Sequence, residues 1–168
     1  MSEGPVSFGK PLLWLVIIGC IGGGYYAKTH WPVSYDGDGW SVDFPNKWEP
    51  KSAGDSSNPS RIVASGPLVD ELHGQGIGWG FLWRHGQLAW PEMAVRNIPG
   101  APDKQDDTEI DHKRALIFEY EDNNIRYMGA SVQRGDALVM FAIGCSKPNF
   151  EANRALFEKT VKSIRCSR

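Results

Sequence analysis

The chain has 168 residues, a formal net charge of −2 and a sequence pI of about 6.1. Because the charges nearly balance, the chain lacks the excess of positive charge that is typical of nucleic-acid-binding proteins. With 41% hydrophobic residues, the composition is that of one globular domain with enough apolar content to bury a core.

An uncharged apolar run occupies residues 11–27, between Lys10 and Lys28. At about 1.5 Å per residue, a helix of this length reaches roughly 25 Å, close to the hydrocarbon thickness of a bilayer. The run therefore predicts one N-terminal transmembrane helix, with a tail at 1–10 and a linker at 28–32. Because aromatic rings favour the lipid–water boundary, we expect four of them there: Trp14, Tyr25, Tyr26 and Trp31.

Two other fates of the apolar run stay open. A cleaved signal peptide needs a basic start and a small-x-small exit site, whereas this run ends in Tyr-Tyr-Ala-Lys. A lipoprotein signal would use residues 17–20, which resemble a lipobox, but Lys10 leaves only a short apolar stretch before Cys20. The retained single-span anchor is the working prediction.

Gly19 and Gly23 form a small-xxx-small pair within the run. Such spacing lets two helix backbones approach closely in lipid, although glycine is also common in membrane helices that have no partner.

The charged residues on either side of the apolar run give little information about its orientation in the membrane. The large domain on the C-terminal side favours an inside N-terminus, with the domain on the periplasmic or lumenal side.

Of the three cysteines, Cys20 lies in the apolar run, and Cys145 and Cys166 lie beyond it. Cys145 ends a strand pattern and Cys166 follows the last helix pattern, so in an oxidising compartment a disulfide would staple the C-terminus to a sheet. We predict this disulfide; two free, buried thiols are the alternative. Metal ligation by the pair alone is disfavoured, since no nearby ligands complete a tetrahedral set.

Residues 33–168 predict one soluble domain of the α+β class, an antiparallel sheet packed with helices. Alternating apolar residues predict strands at 40–44, 61–65, 77–83, 108–112, 115–120, 125–133 and 137–145. Loops are expected at 51–60 and 99–107, turns at 36–39, 122–124 and 134–136, and a short helix at 92–98. A C-terminal helix begins at 146–150, with one apolar stripe formed by Phe150, Phe157, Val161 and Ile164.

No constellation in the sequence supports catalysis. The four histidines are scattered on predicted loops or strand ends: His30, His73, His85 and His112. Ordinary surface histidines explain them best, and a weak metal site at His85 or His112 is the alternative. Asp36, Asp38 and Asp43 lack the glutamate that ends a calcium loop, because Lys47 stands at that place.

The glycine-rich stretch at 74–80 superficially suggests a phosphate loop. No Lys-Ser/Thr follows it and a strand pattern comes next, so we interpret it as a close backbone approach or a bulge. No catalytic, cofactor-binding or metal-ligating residue is predicted.

Tryptophan is abundant in the soluble part, at positions 31, 40, 48, 79, 83 and 90. Core packing explains most of these rings, and some are candidates for contact with a partner. Trp79 and Trp83 are four residues apart in a predicted strand, hence on one face, and we favour the core for both. Trp31 is expected at the lipid boundary or against a neighbouring subunit.

The element order resembles that of a known group. Residues 39–48, a strand followed by Pro-x-x-Trp, look like the entry of the PsbP-like superfamily, which includes the extrinsic subunit of the plant oxygen-evolving complex and DcrB-related bacterial envelope proteins. The closing strand and helix, with Phe157 and Val161, resemble the same group, and the likeness in layout covers about residues 33–166.

The resemblance implies an α/β/α sandwich around an antiparallel sheet, no catalytic machinery, no cofactor, and a role in binding or stabilising larger assemblies. With the anchor, which is not part of the group's core pattern, it predicts a non-enzymatic single-pass accessory subunit of a membrane complex, of photosynthetic reaction-centre or respiratory type. The expected partners are the membrane and the transmembrane and extracytoplasmic surfaces of other subunits, not nucleic acid. An envelope lipoprotein that binds a small ligand is the alternative.

Overall fold

The computed structural model describes residues 32–56, 59–68, 74–84, 86, 89–96, 98 and 102–166. The predicted anchor at 11–27 lies outside the described residues, and so do the residues assigned to it and to its boundaries: Trp14, Gly19, Gly23, Tyr25, Tyr26 and Trp31. Within the described ranges, no helix is long and apolar enough to cross a bilayer.

The described chain forms ten strands and two helices. In chain order they are β1 (Val33–Asp36), β2 (Trp40–Phe44), β3 (Glu49–Ser52), β4 (Ile62–Pro67), β5 (Gln75–Arg84), α1 (Pro91–Val95), β6 (Lys104–Ile110), β7 (Lys113–Asp122), β8 (Ile125–Arg134), β9 (Ala137–Ser146), α2 (Lys147–Lys162) and β10 (Arg165–Cys166).

The strands form two antiparallel sheets. The smaller has the order β1-β2-β10 and the larger the order β3-β4-β5-β9-β8-β7-β6. Strands β6, β7, β8 and β9 form a meander in the larger sheet. The meander begins with β6 at one edge of the sheet and ends with β9, which pairs with β5. This mostly antiparallel architecture with two helices confirms the predicted α+β class.

One face of the seven-stranded sheet, here called the inner face, packs against β2 and α2. Trp40, Phe44 and Trp48 are buried on it, and a Cβ added at Gly66 or Gly76 would lie 2.4 or 2.5 Å from the Trp48 ring. Trp48 also donates its indole N–H to the Pro67 carbonyl at 3.0 Å. Gly76 in the 74–80 stretch therefore serves close packing, which agrees with the predicted close backbone approach.

Helix α2 supplies the other half of this core. Pro148 occupies its first turn, where a missing N–H costs nothing, and Phe150, Phe157 and Val161 are fully buried on one stripe. The rings of Phe150 and Phe157 lie 5.6 Å apart. The helix thereby fixes the C-terminus on the inner face, over β8 and β9.

The opposite, outer face holds a second apolar cluster. Helix α1 packs Ala94 and Val95 against β7, β8 and β9, over Leu116, Phe118 and Leu138. Since α1 is only five residues long, it covers part of this face. The part over β4 and β5 has no helix on it among the described residues.

Several strand boundaries differ from the prediction. Strand β6 begins at Lys104, inside the predicted loop 99–107, and β3 begins at Glu49 and ends at Ser52, inside the predicted loop 51–60. Both are polar edge strands, paired on one side only, so they lack the apolar alternation that marks a half-buried strand. Strands β1 and β10 were not assigned as strands from the sequence. The short helix ends at Val95 rather than at residue 98.

The predicted disulfide between Cys145 and Cys166 is wrong: both are free, buried thiols. Cys145 pairs with Arg126 in the larger sheet, and Cys166 pairs with Trp40 in the smaller sheet. The position of each cysteine is therefore set by the strand pairing of a different sheet. Burial raises the pKa of each thiol to about 11, which keeps both protonated. The cysteines thus give no support for an oxidising compartment.

Candidate functional site

Strand β5 carries its large side chains on the outer face. Ile77, Trp79, Phe81 and Trp83 alternate with residues that face inward, and all four are only half-buried. The residue opposite Trp79 on β4, Val63, is 38% exposed. We call these five residues, Val63, Ile77, Trp79, Phe81 and Trp83, the aromatic surface.

The aromatic surface lies on a rigid part of the sheet. Strand β5 is paired on both sides, with β4 and with β9, and its registers place Trp79 opposite Ala142 and Phe81 opposite Met140. The rings of Trp79 and Phe81 stack with centroids 5.8 Å apart and planes 17° from parallel. The surface is therefore held in shape before any partner binds.

Two buried tyrosines lie next to the aromatic surface on the outer face. The rings of Tyr120 and Tyr127 stack at 4.8 Å, and burial raises the pKa of Tyr120 well above its usual value. The hydrogen bond that the Trp79 indole N–H donates to the Tyr120 oxygen partly offsets this effect, because it lowers the pKa. The Trp79 indole thus links β5 to Tyr120 on β7 across the outer face.

Trp90 is a second exposed indole, at the start of α1 and outside the aromatic surface. It is 44% exposed, and the Arg114 guanidinium lies 5.3 Å from its ring centroid. Arg114 also pairs with Glu92 and, at 3.4 Å, with Asp107. These contacts tie the beginning of α1 to β6 and β7.

The inner face carries a charge cluster where α2 meets β7 and β8. Glu119 is 5% exposed and binds Arg126 at 3.0 Å and Arg154 through both guanidinium nitrogens, one of them at 3.2 Å. Both guanidinium groups lie over the Phe150 ring, at 5.5 and 5.1 Å from its centroid. The cluster joins α2 to the sheet.

The chemistry of Glu119 follows from these contacts. Burial alone would raise its pKa, but the hydrogen bonds from Arg154 and Arg126 outweigh burial and hold the pKa below its usual range. A general acid or base works best with a pKa near the operating pH. At neutral pH Glu119 is instead an ionised carboxylate whose oxygens are already bound, which suits a structural role.

The structure places few of the residues considered for metal binding. His30, His73 and His85 lie outside the described residues, and His112 sits in the turn between β6 and β7. Among the described residues, no three His, Cys, Asp or Glu side chains are grouped as metal ligands.

The aspartates near the first turn have protein partners. Asp38 pairs with Arg84 at 2.7 Å. Asp43 accepts a hydrogen bond from the Ser34 hydroxyl at 2.6 Å and lies 3.6 Å from Arg165. Both carboxylates therefore have partners within the protein.

The sequence predicts that Trp79 and Trp83 lie on the same face of a strand, and this is confirmed. It also favours the core for both rings. The structure leaves them half-buried, because the one short helix described on the outer face lies over the other strands. The signal in the sequence is the glycine–aromatic alternation of β5. Glycines on one face and aromatic rings on the other reverse the usual small-outside, large-inside pattern.

Comparison with known proteins supports the fold. No protein-family model matches the chain. No curated protein matches it either. Among solved structures, the solution structure of cyanobacterial PsbP (CyanoP) from Synechocystis sp. is similar at 12% identity, with a TM-score of 0.57 over 82% of this chain and 93% of that one.

Two further structures are similar. A Bacteroides thetaiotaomicron protein matches at 11% identity with a TM-score of 0.50, over 83% of this chain, which spans about half (49%) of that protein. A Pseudomonas aeruginosa protein of unknown function, PA94, described as a putative regulator, matches at 12% identity with a TM-score of 0.50, over 79% and 94% of the two chains. At such identities the likeness establishes the fold alone, and the described domain of this chain has a PsbP-like fold.

Proposed function

We propose that the protein is a non-enzymatic, single-pass accessory subunit that stabilises a larger membrane protein complex. The apolar run at 11–27 would anchor it, with Gly19 and Gly23 packing on a neighbouring helix and the domain on the periplasmic or lumenal side. The aromatic surface would contact the extracytoplasmic part of a neighbouring subunit. By the resemblance, a photosynthetic reaction-centre or a respiratory assembly suits this role.

The aromatic surface is the observation that carries the proposal. A group of neighbouring large apolar side chains that are only partly buried at the surface of a domain is typical of contact surfaces. Each 100 Å² of apolar area removed from water contributes about 2.5 kcal/mol, so covering these rings is favourable. Because β5 is paired on both sides, little conformational entropy is lost when a partner covers the surface.

The arrangement of charged groups supports a binding role over catalysis. Glu119, the acidic residue buried most deeply among those described, is held ionised between two guanidinium groups. The aromatic surface itself carries no titratable group, which suits an apolar partner surface.

Replacing Phe81 and Trp83 with threonine in the full chain tests the proposal. Threonine keeps the strand propensity of β5 and removes most of the apolar area. After mild-detergent extraction of native membranes, we expect at least tenfold less parent complex to co-purify with the double variant. Trp90→Thr is the matched control, since it removes an exposed indole outside the aromatic surface and should leave recovery unchanged.

Equal recovery of the complex with the double variant and with wild type would contradict the proposal, provided both chains have the same far-ultraviolet circular dichroism. Mass spectrometry of the N-terminus in the same preparation separates the anchor from the alternative. A retained apolar run supports the anchor, whereas an acylated Cys20 as the first residue would make the protein an envelope lipoprotein.

A further inference from the structure

Strand β6 forms one edge of the seven-stranded sheet. It spans Lys104–Ile110 and pairs with β7 on one side, and no described residue pairs with its other side. Most of its residues are exposed. An edge of this length presents a row of backbone donors and acceptors, which is a template for one more strand.

The turn after β6 determines which backbone groups point outward. Asp111 and His112 both have positive φ, 53° and 57°, as a two-residue type I′ hairpin requires, and the flanking pair is Ile110–Lys113. In such a hairpin the flanking pair is hydrogen-bonded and the bonding alternates along the ladder. Residues 104, 106, 108 and 110 therefore bond to β7, and the N–H and C=O groups of Gln105, Asp107 and Glu109 point outward.

A cleft of about 340 Å³ runs along β6 on the inner face, between this edge and α2. Asp106 and Thr108 line it from β6, Ile117 is part of its floor, and Glu158 and Lys162 line it from α2. Side chains of an added strand that point to the inner face would lie at the mouth of this cleft.

The charge of β6 selects the kind of strand that fits. It carries Asp106, Asp107 and Glu109 against Lys104, a net of about −2. Two copies of β6 would place like charges opposite each other, which disfavours pairing with a second copy of this chain. A strand with lysine or arginine at successive positions would meet carboxylates on both faces, with Asp106 on the inner and Asp107 and Glu109 on the outer.

We infer that the outer edge of β6 binds an extended, basic segment of a partner subunit by β-strand addition. Backbone hydrogen bonds to Gln105, Asp107 and Glu109 hold the segment, and its basic side chains pair with the strand's carboxylates. The inference rests on the proposed function for the existence of a partner subunit. It names a second contact, opposite in chemistry to the aromatic surface.

Two variants at one position test the inference. Asp107→Pro removes an outward N–H without removing a bond to β7, since proline is tolerated on an edge strand where its nitrogen faces solvent. Asp107→Ala is the matched control, because it loses the same carboxylate and the Asp107–Arg114 ion pair but keeps the N–H. We expect at least tenfold weaker association with the parent complex for the proline variant relative to the alanine variant.

Hydrogen exchange of the full-length chain gives the direct readout. Free in mild detergent, the outward amides of 105, 107 and 109 should exchange freely, and in the purified parent complex a peptide covering β6 should gain about three slowly exchanging amides. Protection on assembly, together with weaker association of the proline variant alone, supports the inference.

Three outcomes overturn the inference. If a complex co-purifies but the β6 amides exchange as in the free chain, the strand addition is wrong and the proposed function stands. If no complex co-purifies with the wild-type chain, both fail. If the same amides become protected in the purified chain as its concentration rises, a second copy occupies the edge and the basic partner segment is wrong.

Discussion

The two faces of strand β5 differ in how completely their aromatic neighbours are covered. On the inner face, glycines let the rings of Trp40 and Trp48 approach the backbone, and both rings are sealed from water. On the outer face, Trp79 and Phe81 stack on each other and are only partly buried. The same residue type is therefore fully buried on one face and partly exposed on the other, and the covering elements make the difference.

Truncating one aromatic ring on each face gives the largest expected contrast. Trp48→Ala should lower the free energy of unfolding by about 4 kcal/mol, because it empties a site packed against Gly66 and Gly76 and removes a buried hydrogen bond. Phe81→Ala should cost only about 1 kcal/mol, since its ring is already partly in water. Urea unfolding followed by circular dichroism measures both. Similar losses for the two variants would refute the division between the faces.

The charge cluster at the edge of the inner face gives the second contrast. Glu119→Gln should cost about 2 kcal/mol near neutral pH, because it weakens the binding of two partly buried guanidinium groups. Since the folded protein holds the pKa of Glu119 below its ordinary value, the carboxylate stabilises the fold above that ordinary value. The contribution is lost as the pH falls through the lowered pKa.

Unfolding measured between pH 7 and pH 3 checks the sign of this effect. The stability difference between wild type and Glu119→Gln should shrink toward acidic pH, when the wild-type carboxyl takes up its proton. A difference that stays constant with pH would show that the ion pairs of Glu119 do not stabilise the fold. Glu158→Gln serves as a control on α2, because the Glu158–Lys162 ion pair is largely accessible to solvent, with an expected effect below about 0.5 kcal/mol.

Much of the inner face could be predicted from the sequence, and little of the outer face. Regular alternation placed β2 at 40–44, and the stripe containing Phe150 and Phe157 placed α2, since burial on one side leaves a periodic pattern. Exposure of Trp79 depends instead on the length and position of α1, which the pattern of β5 does not contain. Residues 108–110 of edge strand β6 fall in the predicted strand 108–112, but residues 104–107 were placed in a loop because they are polar and exposed. The disulfide prediction failed because a register cannot be inferred from spacing.

The glycines beneath the inner face allow the finest test of the contrast. A Cβ at Gly80 would lie 2.7 Å from the Trp40 ring and 3.1 Å from the Met140 carbonyl oxygen, whereas the closest contact of a Cβ at Gly78 would be 3.3 Å, to Phe44. Gly80→Ala should therefore cost about 1–2 kcal/mol through overpacking, and Gly78→Ala less than about 1 kcal/mol. Equal urea midpoints for the two variants would show that the Trp40 ring shifts freely. The close contact between the Trp40 ring and the β5 backbone would then not hold β5 in place. In that case strand pairing alone would keep the aromatic surface rigid.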